Sequence, residues 1–199
     1  DKWDDESDAH ALEDLELQHA IVAEMKETFD FDALDPQAKL SWRLTEYELS
    51  QAEAAFPFRD HEYVFNQMFG VQSGIPAFLV NQHKVSSPPD AEAYIARLEG
   101  IAAYLGQNVA NSQAAAAKGI LPPRFVYDYV LSDSRGVITG YPFTSDVADG
   151  SDDSPLMDDF RGKVTELESA DGVTPEEAAS LLVRAADALK TSVGPAYDA

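Results

Sequence analysis

The chain has no cysteine among its 199 residues, so disulfides, thiolate-ligated zinc and thiol nucleophiles are excluded together. Basic residues are scarce: fourteen Lys and Arg stand against thirty-six Asp and Glu, a formal charge of -22. Such a balance cannot neutralise a phosphate backbone, so nucleic acid is set aside as a partner, and anionic lipid surfaces are repelled by the same charge. No apolar run approaches the roughly 20 residues that a membrane-spanning helix needs. Histidine is rare too, with only His10, His19, His61 and His83. His61 and Glu62 begin like the zinc-protease signature H-E-x-x-H, but the fourth position onward is Phe65, and no second histidine lies one helical turn away. Nucleophile-elbow, P-loop and dinucleotide glycine motifs are also missing. No residue is therefore assigned a catalytic or metal-binding role.

What is present is helical periodicity. Residues 1 to 8 read as a flexible acidic tail, and 9 to 199 as one helical domain. Leu12, Leu15, His19 and Val22 predict an amphipathic helix over 9 to 28, with His19 a core or boundary residue more readily than a ligand. Asp35 and Pro36 cap and open a second helix that Pro57 ends. Gly70, Gly74 and Pro76 then break the pattern before "PAFLVNQH" resumes a short helix. Ser87, Pro88 and Asp90 start a long helix near 88 to 118, which would run about 45 Å and suits a larger helical scaffold. Further helices follow from "PPRFVYDYVL", "SPLMDDF" and "TPEEAASLLVRAADAL", the last with Thr174 and Glu177 as a capping box. Between them an acidic loop near 144 to 153 reads as a solvated linker rather than a calcium site, because its aspartates lack the EF-hand spacing. No strand pattern is found, and the predicted fold class is all-α, a multi-helix array.

Chemistry-bearing side chains concentrate in "HEYVFNQMFG". His61, Tyr63, Asn66 and Gln67 are candidates to line a groove for a peptide-like ligand. The same amides could equally satisfy backbone groups where the helices break.

Together with "DAEAYIARL" at 90 to 98 and "GILPPRFV" at 119 to 126, the run Phe58, His61, Tyr63, Asn66, Gln67, Met68 and Gly70 resembles a bacterial family. It is the domain-of-unknown-function family eight hundred eighty-five. The resemblance implies a helical, exported protein, periplasmic or lipid-anchored, with a zinc-metallopeptidase-like C-terminal half. It implies that zinc is needed only there, beyond Ala199, and that these residues form the N-terminal, substrate-side part of a peptidase-like hydrolase, not catalytic alone. His61 and Glu62 would then belong to the N-terminal motif. A non-enzymatic helical module for peptides or envelope components is the alternative. The implied partners are that C-terminal half and a peptide substrate. Faces covered by the other half should be exposed here and promote self-association, with Leu181 to Leu189 and Tyr63 to Phe78 the expected surfaces. Leu156 and Met157 depart from the family pattern.

Overall fold

The structure is a computed structural model that describes residues 2–199. Those residues form helices and connections, and no strand: the one bridge pairs Tyr141 with Asp153. The helices are α1 (Asp8–Thr28), α2 (Pro36–Ala55), α3 (Val71–Asn81), α4 (Pro88–Ala117), α5 (Arg124–Val137), α6 (Pro155–Ser169), α7 (Pro175–Ala188) and α8 (Gly194–Asp198). A π turn over Leu189–Val193 carries α7 into α8, so the array has seven rods.

The chain forms two compact units. The smaller, Asp5–Glu62, holds α1 and α2; the larger joins Asp1–Asp4 to Tyr63–Ala199. In the smaller unit Ser7 caps α1 through the His10 amide and Asp35 caps α2 through the Ala38 amide. Two helices alone shield little. Val22 is buried, while Leu17, Ile21, Leu40, Leu44 and Tyr47 stay exposed.

The core belongs to the larger unit. Tyr94, Leu98, Ile101 and Leu105 recur on one face of α4, and that face packs against Ile75 and Leu79 of α3, Phe160 and Val164 of α6, Leu181 and Ala185 of α7, and Leu189 of the π turn. The Leu181 to Leu189 face, expected to be exposed, is thus interior: Leu189 has no accessible surface and Leu181 only 6%. Its apolar stripe is consumed by α4 and α6 within this chain. In the π turn, Ser192 donates to the Glu99 carbonyl at 2.8 Å and accepts from the Ala102 amide, tying the chain end to the middle of α4.

Helix α3 begins five residues earlier than its proline suggests, and Pro76 lies inside it. Proline at that position deprives the Gln72 carbonyl, four residues back, of its helical donor. The Tyr197 hydroxyl of α8 supplies the bond instead, at 2.8 Å. A long-range tertiary contact therefore permits what local propensity forbids.

The acidic loop is more ordered than a solvated linker. Asp153 has a side chain only 1% exposed and holds Arg161 through both carboxylate oxygens, at 2.5 and 3.2 Å. Asp149 accepts from the Ser151 amide and hydroxyl, a local turn. At Gly140, φ is +93°, and an added Cβ would fall 2.8 Å from the Asp153 and Ser154 backbone, so the return of the loop requires glycine there.

Within the tail, the described residues include Trp3, which is packed against the larger unit's core, and residue 1 lies outside them.

Candidate functional site

Within the larger unit, ahead of α3, the backbone turns at 63 to 70, and side chains hold it there. The Asn66 carboxamide accepts from the Met68 and Phe69 amides at 2.9 and 2.8 Å and donates to the Tyr63 carbonyl at 2.9 Å. Gln72, fully buried, donates its Nε2 to the Asn66 carbonyl at 2.7 Å and reaches Asp133 of α5 at 3.4 Å. Ser73 donates to the same Asp133 oxygen. The Val71 amide closes the turn on the Val64 carbonyl at 3.0 Å. Gly70 has no room for a side chain, because a Cβ would collide with the Asn66 backbone and with Gln72 Oε1. Phe65 packs inward on the core. The opposite side chains have nowhere to go but out: Phe69 is 85% exposed, Met68 68% and Tyr63 42%.

The four sequence-predicted groove residues are therefore placed unequally. Tyr63, Asn66 and Gln67 share this turn in the larger unit. Asn66 spends both ends of its amide on backbone, whereas Gln67 and Tyr63 are exposed and free to meet a ligand. His61 belongs to the smaller unit, exposed, with its ring edge against Phe58 at 5.6 Å. Met68 and Phe69, not singled out from sequence as site residues, are the most prominent apolar side chains of the turn. The readable signal was "NQMFG": an amide two and three residues before two large apolar residues, with a glycine to close.

A second polar group lies under α4. His83 is buried with Nε2 3.1 Å from the Asp90 carbonyl and Nδ1 2.8 Å from Arg97 Nη1. A guanidinium only donates, so Nδ1 is the acceptor and Nε2 carries the proton. Burial first, then the Arg97 and Lys163 charges, hold this imidazole below its ordinary value, against the hydrogen bond to Asp90. Beside it Tyr94 donates to Asp159 at 2.8 Å and Lys163 donates to the same oxygen at 2.7 Å. Burial and the Asp159 charge push the Tyr94 phenol far upward. Lys163 also donates to the Leu79 carbonyl at 2.6 Å, closing the C-terminal end of α3. Apart from Arg97 Nε, which is buried without a hydrogen-bond partner among the described residues, these groups are spent on one another, which makes the cluster a lock between α3, α4 and α6.

Among the described residues no group of three or more His, Asp or Glu side chains converges as a metal would require. Among the described residues no helix is long and apolar enough to cross a membrane.

The family described as "Bacterial protein of unknown function (DUF885)" matches residues 1–199, and the chain belongs to it. No curated protein and no solved structure matches this chain.

Proposed function

We propose that this member of the family is the substrate-side helical region of an exported peptidase-like hydrolase, and that its turn at 63 to 69 presents an apolar contact to a peptide. One observation carries the reading: Phe69 and Met68 stand 85% and 68% exposed on a turn that Asn66, Gln72 and Gly70 hold rigid. Large apolar side chains displayed on a fixed backbone lose little conformational freedom on binding, which favours recognition over mere solvation. Tyr63 and Gln67 flank them with a hydroxyl and an amide suited to peptide groups. Catalytic metal ligands and the C-terminal half would come from outside these residues.

The kinetics of a hydrolase that carries this region test the reading. Burying a phenyl ring is worth about 1.5–3 kcal/mol, so Phe69→Ser should raise KM about tenfold or more and leave kcat in place. A fall in kcat with KM unchanged, or no change in either, contradicts it. Peptide binding without any hydrolysis would move the assignment to a non-enzymatic binding module using the same face.

A further inference from the structure

The N-terminal segment holds one large apolar side chain, Trp3, amid acidic residues, and this side chain is not free. Its Nε1 donates to the Arg97 carbonyl of α4 at 2.8 Å. Its ring stacks on Tyr104 with centroids 5.1 Å apart and planes 25° from parallel, and meets Phe78 of α3 edge-on at 5.5 Å. Arg97, Gly100 and Tyr104 fall at i, i+3 and i+7 and so share one face of α4. Gly100 makes the room: a Cβ there would lie 3.1 Å from Trp3 Cδ1 and 3.6 Å from Nε1. The Arg97 guanidinium covers the Phe78 ring, 5.3 Å from its centroid. The elements of aromatic recognition are all here: a stacking platform, an edge, an acceptor for the indole N–H and a floor without a side chain.

The segment bearing Trp3 has no regular secondary structure of its own. Residues 1–4 group with the larger unit, and the chain then leaves through 5 to 7 into α1 of the smaller one. One side chain thus carries most of the apolar attachment of this segment.

We propose that the socket formed by Arg97, Gly100 and Tyr104 of α4 with Phe78 of α3 is a binding site for an indole presented by an extended segment. Trp3 fills it in cis, and the same kind of segment enters it in trans once Trp3 is removed. The tether holds Trp3 at an effective concentration of roughly millimolar, so an incoming segment competes poorly until the clasp opens.

The test uses a fluorescein-labelled peptide of sequence DKWDDES and the whole chain. Its anisotropy should report saturable binding to the Trp3→Ala chain. Binding should be at least tenfold weaker to the chain that keeps Trp3, and lost in Trp3→Ala combined with Gly100→Leu. Replacing the tryptophan of the probe by alanine should abolish binding. Equal affinity for both chains, no binding to Trp3→Ala, or indifference to Gly100→Leu would overturn the proposal. A second readout avoids Trp3→Ala altogether. With Trp42→Phe removing the other tryptophan, Gly100→Leu should shift Trp3 emission to the red as the ring leaves its socket, with melting retained. Unshifted emission would likewise overturn it.

Discussion

Removing the Tyr197 hydroxyl should expose the cost of placing Pro76 inside a helix. In Tyr197→Phe the ring stays, but the Gln72 carbonyl loses the donor that replaces the amide proline lacks. Leaving a buried backbone acceptor unpaired costs about 1–3 kcal/mol. For a chain of this size that corresponds to a fall in melting temperature of about 2–4 °C per kcal/mol. Burial pushes the Tyr197 phenol upward, so the hydroxyl keeps its proton throughout the neutral range and donates without interruption. The decisive step is a double-mutant cycle. Pro76→Ala restores an amide aimed at Gln72, and in that background Tyr197→Phe should cost at least ~1 kcal/mol less than in the native chain. Urea unfolding of the four proteins, with equal slopes, measures the coupling. Additive effects would show that the hydroxyl matters for some reason other than the missing helical bond.

Three further outcomes follow from charge and burial. His83 is held neutral, so the unfolded chain takes up its proton first as pH falls through about 6.5; stability should fall from there toward pH 5, and His83→Gln should flatten that limb in pH-dependent urea melts. Asp153→Ala removes the buried partner of Arg161, whose own side chain is 23% exposed, and should cost about 1–3 kcal/mol, whereas Glu92→Ala breaks a similarly short pair with Arg184 that is about half exposed and should cost under ~1 kcal/mol; paired thermal melts compare them. With a formal charge of -22, melting temperature should rise on adding sodium chloride to ~0.15 M, as counterions screen self-repulsion, and a flat curve would show that local pairing already offsets it.

The helix starts were legible because their signals are local. Asp35 accepts from the Ala38 amide, and Thr174 and Glu177 form both bonds of the capping box read from the letters alone. The start of α3 was not legible, since the bond that tolerates Pro76 comes from a tyrosine 125 positions beyond Gln72. Exposure also resisted reading from pattern. Leu181 and Leu189 carry the same apolar letters as Leu40 and Leu44, yet only the first pair finds helices to cover it within the chain. At the candidate site, the amide-rich run was visible but its division of labour was not. Whether an asparagine faces a ligand or its own backbone depends on turn geometry, and Asn66 faces backbone. That geometry turns Met68 and Phe69 outward instead. Trp3 was hidden by its acidic neighbours, which suggested a tail where an aromatic anchor sits.

A turn at 63 to 69 that serves as a peptide-binding face should bind peptide without the rest of a hydrolase. Fluorescence anisotropy of a labelled, unstructured peptide rich in apolar residues, titrated with the 199-residue chain and with Met68→Ser/Phe69→Ser, tests it most directly. Binding should be saturable and weakened at least ~10-fold by the double substitution, with the melting temperature unchanged because both side chains already face solvent. Binding that is indifferent to the substitution, or absent from the native chain, would contradict it.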